Sequence, residues 1–110
     1  MEDVRVERVL RVAESIPLGR VATYGDVSAV AGESPRVVGR VMATWGSGVP
    51  WWRVCNARGE IPGHAAPATE RWRAEGTALT ADGQVDLRQA RVSEPELAQL
   101  SATWLAELEV

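Results

Sequence analysis

The sequence has few of the residues on which common catalytic and structural sites depend. Cys55 is the one cysteine and His64 the one histidine among 110 residues, so neither an internal disulfide nor a structural zinc site can form. Lysine is absent, which excludes the glycine-rich phosphate loop that ends in Lys. No apolar run reaches the roughly 18 residues of a membrane span, and the N-terminus lacks the apolar segment of a signal peptide. We therefore expect a cytoplasmic, monomeric protein without metal, cofactor or membrane partner.

The same shortage bears on catalysis. Nucleophilic catalysis by a thiol needs an imidazole base beside it, whereas a predicted turn separates Cys55 from His64. Neighbouring acids such as Glu94 and Glu96 are typical of a solvated helix surface rather than of a catalytic pair. The sequence therefore predicts no catalytic residues.

The charge of the chain is slightly acidic overall but unevenly distributed. The formal net charge is −3, from 12 basic and 15 acidic residues, and every basic residue is an arginine. Residues 17–60 carry an excess of arginine, whereas residues 61–110 carry an excess of acids. The planar guanidinium suits phosphates and base edges, but a chain rich in Arg and free of Lys is also what a GC-rich genome produces. Charge alone leaves both interpretations open.

The first part of the chain has the apolar spacing of two helices. The first ends at Pro17, and its inner stripe is Val6, Val9, Leu10, Ala13 and Ile16. Thr23 and Asp26 have the spacing of a capping box, which predicts a short second helix that ends at Gly32.

The third predicted helix, residues 35–45, has two different faces. Ser34 as N-cap and Pro35 at the first position begin it. Its expected core stripe is Val38, Val41, Met42 and Trp45, and the opposite stripe is Arg36, Gly39, Arg40 and Ala43. Two cations beside two very small residues can lie close to a nucleic acid, so the pair of helices predicts a helix-turn-helix. A helical hairpin with solvated arginines has the same pattern.

The second half predicts a small β component among short helices. Residues 49–55 have the composition of a strand, Ala68–Glu75 that of a short helix, and an Asp-Gly turn predicts a hairpin over residues 77–87. A last helix begins at a capping box of Ser93 and Glu96, and its expected buried residues are Leu97, Leu100, Trp104, Leu105 and Leu108. We therefore predict a mostly α fold with a small β component, in one domain over the whole chain.

Two adjacent tryptophans, Trp51 and Trp52, interrupt the predicted strand. Neighbours in a strand point to opposite faces, so only one of the two can enter the core. The other is either an edge-strand tryptophan covered by the last helix or an aromatic wall for a planar group, in the way that proteins stack an extrahelical base.

Four stretches resemble the C-terminal domain of the O6-alkylguanine-DNA alkyltransferases. Residues 16–27 resemble the start of that domain, residues 34–42 its recognition helix, and residues 49–54 (VPWWRV) stand in place of its Pro-Cys-His-Arg-Val motif. Glu75-Gly76 resembles the Glu-Gly that ends the supporting helix. The resemblance covers about residues 5–79, with a hairpin and helix over about 80–110 beyond it, and implies a winged-helix-like helix-turn-helix domain.

The departures from this family pattern bear on function. The acceptor cysteine is replaced by Trp51, whose indole cannot accept an alkyl group in that reaction, and the histidine base is replaced by Trp52. Only Glu75 of the family's Cys-His-Glu relay remains. A tryptophan at the acceptor position marks the alkyltransferase-like proteins, which bind O6-alkylguanine in DNA without repairing it and usually keep the histidine. The resemblance therefore implies a catalytically inactive homologue of methylated-DNA–cysteine S-methyltransferase.

The resemblance also implies roles for individual residues. Arg36 would fill the gap left by the flipped nucleotide, and Tyr24 would rotate the 3′ phosphate and pack against the extruded base. The recognition helix would lie in the minor groove, where Gly39 leaves room. The implied DNA-binding set is Thr23, Tyr24, Arg36, Gly39 and Arg40. The implied alkylguanine pocket is Tyr24, Trp51, Val54, His64 and Ala65.

The leading hypothesis is a non-enzymatic sensor that binds duplex DNA containing O6-alkylguanine and flags the lesion for nucleotide excision repair proteins. One alternative is a helix-turn-helix DNA-binding or regulatory protein in which Trp52 has closed the lesion pocket. Another is a residual alkyltransferase that uses Cys55, although such a cysteine is ordinarily a small buried hydrophobe. We expect Arg53 to brace the motif rather than to contact DNA.

Overall fold

The structure, a computed structural model, describes residues 3–108, which form mostly helices and one two-stranded sheet. In chain order the elements are α1 (Val4–Glu14), β1 (Ala22–Thr23), α2 (Tyr24–Ala31), α3 (Pro35–Trp45), β2 (Val54–Cys55), α4 (Ala65–Glu75), α5 (Leu87–Ala90) and α6 (Glu94–Leu108). Two 3-10 turns, Gly46–Gly48 and Trp51–Arg53, lie between α3 and β2. Between residues 3 and 108 no helix is both long enough and apolar enough to cross a bilayer. The prediction of a mostly α fold with a small β component is confirmed.

Helices α1, α2, α3 and α6 pack around the larger of two apolar clusters. Val9, Ala13 and Ile16 of the predicted α1 stripe are buried, whereas Val6 and Leu10 pack against the cluster at its edge. Val27 of α2, Val38 of α3 and Leu97 of α6 meet them and are fully shielded from solvent. Burial of one such Val or Leu side chain contributes about 1.5–3 kcal/mol. This cluster fixes how the helix-turn-helix sits on the rest of the protein.

The predicted helix-turn-helix is formed by α2 and α3. The Thr23 hydroxyl accepts a hydrogen bond from the Asp26 N–H, and the Asp26 carboxylate accepts one from the Thr23 N–H, each at 3.1 Å, so the capping box is complete. Gly32 ends α2 at a φ of 73°, in the left-handed region that favours glycine. Ser34 then accepts a hydrogen bond from the Val37 N–H at 3.2 Å and begins α3.

Residues 49–55 do not form the predicted strand. Only Val54–Cys55 is extended, and it pairs in parallel with Ala22–Thr23. Pro50 has no N–H for a strand ladder, and the backbone of Trp51–Arg53 closes a 3-10 turn instead. The argument that the two tryptophans point to opposite faces of a strand is therefore wrong. Both are half-buried.

The second half follows the prediction with two differences. The hairpin is present, with Leu79 bridged to Val85 in antiparallel fashion. Helix α4 begins at Ala65 rather than Ala68, because Pro67 falls in the first turn, where a missing N–H breaks no helical hydrogen bond. The short helix α5 was not predicted; Asp86 opens it by accepting a hydrogen bond from the Arg88 N–H at 3.1 Å.

Three apolar residues that were assigned to buried stripes are exposed. Trp45 is 43% exposed at the end of α3, and Leu100 and Trp104 are each 42% exposed on α6. Helix α6 buries Leu97, as predicted, together with Ser101, whose hydroxyl is satisfied because it donates to the Leu97 carbonyl at 2.8 Å. Helical spacing identifies one face but does not give the width of its buried part.

Arg91 ties the segment after the hairpin to the helix-turn-helix. Its guanidinium donates to the Asp26 carboxylate at 2.8 and 2.6 Å, and Asp26 is only 3% exposed. Burial by itself raises the pKa of Asp26, but the hydrogen bonds from Arg91 and Thr23 outweigh it and hold the pKa below its ordinary value. The chain near Arg91 also pairs with Val21, the residue before β1, because the Val21 N–H donates to the Ala90 carbonyl at 2.9 Å.

Candidate nucleic-acid interface

A cavity of about 440 Å³ opens between α3 and the loop that precedes α4. Helix α3 contributes Gly39, Met42 and Ala43 to the lining of this cavity. Tyr24 from the start of α2, Trp51 from the 3-10 turn and His64 from the loop also line it. This volume lies in the range of sites that hold small organic molecules. The recognition helix and the cavity thus form one continuous surface.

Three of the five residues predicted for the alkylguanine pocket line this cavity: Tyr24, Trp51 and His64. Val54 does not, because it lies in β2 and is buried in the larger apolar cluster. Ala65 does not either, because it belongs to the first turn of α4 and faces a separate shallow hollow. The cavity thus brings together three of the predicted residues and leaves out these two.

Met42 is a lining residue that sequence reasoning missed. It was assigned to the core stripe of α3, yet it is only partly buried and borders the cavity. The sequence does contain an indication of this position. Met42 lies between the small residues Gly39 and Ala43, and small residues on a helix leave room for a partner beside them.

Trp51 forms the aromatic wall of the cavity and is braced on two sides. Its ring meets that of Trp52 edge to face, with centroids 5.7 Å apart and planes at 87°. The imidazole of His64 lies 5.8 Å away at 57°. Edge-to-face aromatic pairs are favourable by about 0.5–1.5 kcal/mol beyond their buried area. The orientation of the Trp51 ring is therefore set by its neighbours.

Glu75 holds together the segments behind this wall. Its carboxylate accepts hydrogen bonds from the Trp52 indole N–H at 2.8 Å, from the Gly19 N–H at 3.0 Å, and from the Arg53 guanidinium at 3.0 and 2.6 Å. Arg53 also donates to the Ile16 carbonyl at 3.0 Å. Arg53 therefore braces the motif, as the sequence led us to expect.

The pKa of Glu75 reflects these contacts. Burial alone raises it, but the hydrogen bonds from Arg53, Gly19 and Trp52 outweigh burial, so the pKa lies below its ordinary value. The carboxylate thus stays ionised near neutral pH. It is already engaged by the indole N–H of Trp52.

Two arginine side chains lie close to the ring of Trp52. The Arg71 guanidinium is 4.6 Å and the Arg53 guanidinium 5.7 Å from its ring centroid, distances at which a cation is attracted to an aromatic face. Its carbonyl accepts a hydrogen bond from the Trp72 indole at 2.6 Å. Trp52 is thus part of the support behind Trp51, whereas the cavity lining includes Trp51 alone of the pair.

The residues predicted to contact DNA differ in exposure. Arg36 and Arg40 are exposed on α3. Tyr24 is half-buried, and burial raises the pKa of its phenol. The Thr23 side chain is already used in capping α2. A Cβ placed on Gly39 would meet nothing within 4 Å inside the protein, so no internal contact requires a glycine at this position of α3.

Cys55 lies in β2 and is completely buried. Burial, with a smaller contribution from nearby Asp26, raises the pKa of the thiol to about 12. A thiol that stays protonated and out of reach of solvent is a poor nucleophile. Among residues 3–108, no three His, Cys, Asp or Glu side chains come together as metal ligands would.

Comparison with known proteins decides the family. A family model described as "6-O-methylguanine DNA methyltransferase, DNA binding domain" matches residues 5–84. The chain belongs to this family.

Two relatives called "DNA base-flipping protein" are similar to this chain. The Escherichia coli protein is 41% identical over 99 residues, which cover 82% of this chain and 75% of that protein. The Vibrio parahaemolyticus protein is 32% identical over 89 residues, which cover 74% of this chain and 89% of that protein.

A solved structure has the same fold. The chain is similar to S. pombe Atl1 in a crystal structure in complex with damaged DNA containing O6-carboxymethylguanine, with a TM-score of 0.69 and 27% sequence identity. The match covers 84% of this chain and 98% of that one. The alkyltransferase-like helix-turn-helix fold that the sequence predicts is confirmed.

Proposed function

We propose that this protein is a non-enzymatic sensor of O6-alkylguanine in duplex DNA. It binds through the helix-turn-helix in the minor groove and holds the flipped nucleotide in the cavity beside Trp51. The observation that carries the proposal is the position of that cavity. It joins the recognition helix directly, and its wall is formed by Trp51, the residue that the resemblance aligns with the family's acceptor cysteine.

Two observations argue against alkyl transfer. Trp51 offers no thiolate, and the one thiol of the chain, on Cys55, is completely buried with its pKa raised to about 12. The Glu75 carboxylate, which belongs to the family's proton relay, is engaged by the Trp52 indole at 2.8 Å. The site is built to hold a base rather than to react with it.

A helix-turn-helix protein with a closed pocket is less well supported. Trp52 would have to fill the space beside Trp51, but its indole is hydrogen-bonded to Glu75 and lies close to the guanidinium groups of Arg53 and Arg71. The cavity of about 440 Å³ remains open on the other side of Trp51.

The exposed face of α3 supports contact with DNA. Arg36 and Arg40 supply positive charge one helical turn apart, and Gly39 between them removes bulk from the surface. A glycine inside a helix costs about 0.5–1 kcal/mol relative to alanine. Since no contact within the protein needs it, close approach of a partner is a physical reason for its presence.

Discrimination follows from the energetics of flipping. Unstacking a nucleotide costs a few kcal/mol, and less when the base pairs poorly, as an alkylated guanine does. The alkyl group then gains roughly 0.8 kcal/mol per methylene when it is buried against apolar or aromatic walls. Because no reaction follows, the complex is long-lived, and we propose that it flags the lesion for nucleotide excision repair.

The test compares two duplexes that differ only in guanine or O6-methylguanine at one position, at matched salt. We expect the lesion to bind at least about tenfold more tightly (roughly 1.4 kcal/mol), and the protein's intact mass to be unchanged after incubation. Trp51→Ala should remove most of the preference, whereas Trp104→Ala, which alters an exposed tryptophan on α6, should keep it. Equal affinities of the unaltered protein for both duplexes would overturn the proposal.

A further inference from the structure

We propose that the exposed side of α6 binds a basic amphipathic helix of a partner protein. This side, called the α6 outer face below, is formed by Glu96, Leu100, Trp104 and Glu107. The inference goes beyond the proposed function, because the α6 outer face takes no part in holding a base. It depends on the apolar pair at the centre of this face, on the acids at its two ends, and on its separation from the cavity.

Leu100 and Trp104 form an apolar surface that the fold leaves uncovered. They lie one helical turn apart, where side chains are neighbours, and each is 42% exposed. The inner side of α6 is already filled, because Leu97 and Ser101 are completely buried and Leu105 packs against the larger apolar cluster. Helix α6 therefore has apolar residues on two sides, and the fold covers only one of them.

The ring of Trp104 is held in place although it is exposed. The Arg11 guanidinium lies 5.1 Å from the ring centroid, a distance at which a cation is attracted to an aromatic face. Arg11 is itself paired with Glu7 at 3.5 Å and with Glu14 at 3.8 Å. A side chain held in this way loses little freedom when a partner covers it. Because tryptophan is among the residues that contribute most to protein interfaces, Trp104 is suited to anchor a partner.

Carboxylates flank the apolar pair at both ends. Glu96 lies one turn before the pair and Glu107 one turn after it, and both are exposed. The rise of a helix places these two acids roughly 16 Å apart along its axis. Helix α6 contains no basic residue, and the two arginines that contact it, Arg11 and Arg20, are each already paired with acids. A partner that covers this face must therefore supply positive charge.

These features favour a helix of another protein over other occupants. The acids repel DNA, and the cavity is lined by α2, α3, the 3-10 turns and the loop before α4. A second copy of this chain would bring the same acids against one another. Amphipathic helices bind apolar surfaces through residues three and four positions apart. A helix of about three turns has the length of this face, and basic residues at its ends would meet Glu96 and Glu107.

The experiment uses two synthetic peptides of about four helical turns. One has leucine and lysine in amphipathic order, and the other has glutamate in place of each lysine. Binding to isotope-labelled protein is followed by NMR, in which the Trp104 indole signal is identified by its loss in Trp104→Ala. We expect the lysine peptide to shift this signal and those of α6, and the glutamate peptide to shift neither. Equal shifts with both peptides, or shifts centred on another surface, would overturn the inference.

Variants separate the apolar pair from the charge. Trp104→Ala should weaken binding of the lysine peptide at least about tenfold, whereas Trp45→Ala, which removes an exposed tryptophan at the end of α3, should not weaken it. The double variant Glu96→Gln and Glu107→Gln should weaken binding about threefold and lower its dependence on salt. Equal losses in the two tryptophan variants, or no loss in the double variant, would contradict the assignment of this face.

Two further measurements test the other occupants. Trp104→Ala should keep the affinity of the protein for an unmodified duplex, and the unaltered protein should sediment as a monomer. A loss of DNA affinity would assign the α6 outer face to DNA, and a dimer that Trp104→Ala dissociates would assign it to a second copy; either result overturns the inference. Because the peptide measurements use no lesion, failure of this inference and failure of the proposed function are distinguishable.

Discussion

Arg36 and Arg40 lie one turn apart on the exposed side of α3, and the ion pairs within residues 3–108 include neither. Similar side chains on one face can still have different tasks. Arg36 lies in the first turn of α3, where the resemblance places the side chain that fills the gap left by a flipped nucleotide. Arg40 lies one turn later, where a cation can meet the phosphate backbone. The two arginines should therefore affect binding differently.

We predict that Arg36→Ala lowers the affinity for a duplex containing O6-methylguanine by at least about tenfold (roughly 1.4 kcal/mol). The reason is that the vacated position in the stack would be left unfilled. Fluorescence anisotropy with the labelled duplex measures the change. Arg88→Ala, which alters an exposed arginine on α5, is the matched control and should leave the affinity unchanged. An unchanged affinity in Arg36→Ala would show that the residue has another role.

At the scale of elements, the last residue of α4, Glu75, connects this helix to two other segments of the chain. Glu75 connects the end of α4 to the 3-10 turn at Trp52 and to the loop at Gly19, by hydrogen bonds of 2.8 and 3.0 Å. Its side chain is 11% exposed, so the loss of a partner leaves buried polar groups without compensation. Glu75 therefore has a structural use, because it joins three separate segments of the chain.

We predict that Glu75→Gln lowers the free energy of unfolding by about 1–3 kcal/mol at pH 7, measured by urea denaturation. Glu70→Gln, an exposed glutamate on the same helix, should change it little. The folded state holds the pKa of Glu75 below its ordinary value, so its contribution is fully present above about pH 4.3 and is lost as the pH falls through the lowered value. The difference between the two proteins should therefore shrink in acid. A constant difference down to pH 2 would contradict this assignment.

At the scale of the whole molecule, charge is separated between two regions. The exposed arginines of α3 lie beside the cavity, whereas α6 carries Glu94, Glu96 and Glu107 and no basic residue. With a net charge of −3, the protein as a whole gains little from general attraction to DNA. Affinity for undamaged DNA should therefore be modest and depend on a few arginine contacts.

We predict that the affinity for an unmodified duplex falls steeply with salt, and that Arg40→Ala reduces the slope of log K against log [salt] by about one, the loss of one phosphate contact. The same substitution should weaken binding to guanine and O6-methylguanine duplexes by similar factors. Titrations of both duplexes at several salt concentrations measure the slope. A selective loss for the lesion would place Arg40 at the flipped base instead.

Local features of the chain were predictable because their physical causes lie within a few residues. The capping box of Thr23 and Asp26, the start of α3 at Ser34, and the hairpin near Val85 follow from neighbours in the sequence. The interpretation of residues 49–55 as a strand was wrong, because strand composition does not show whether a partner strand runs alongside. Burial of Trp104 was wrong for a similar reason, since the width of a buried face depends on what packs against it.

The sequence by itself determined the helix-turn-helix, a tryptophan rather than a thiol at position 51, and the excess of arginine near the recognition helix. These follow from residue identity and short-range spacing. Only the tertiary structure decided that Met42 and His64 border one cavity with Trp51, that Val54 and Ala65 do not, and that the Trp52 indole is bonded to Glu75. Such contacts join residues far apart along the chain, and their geometry is set by the packing of the whole core rather than by any local preference.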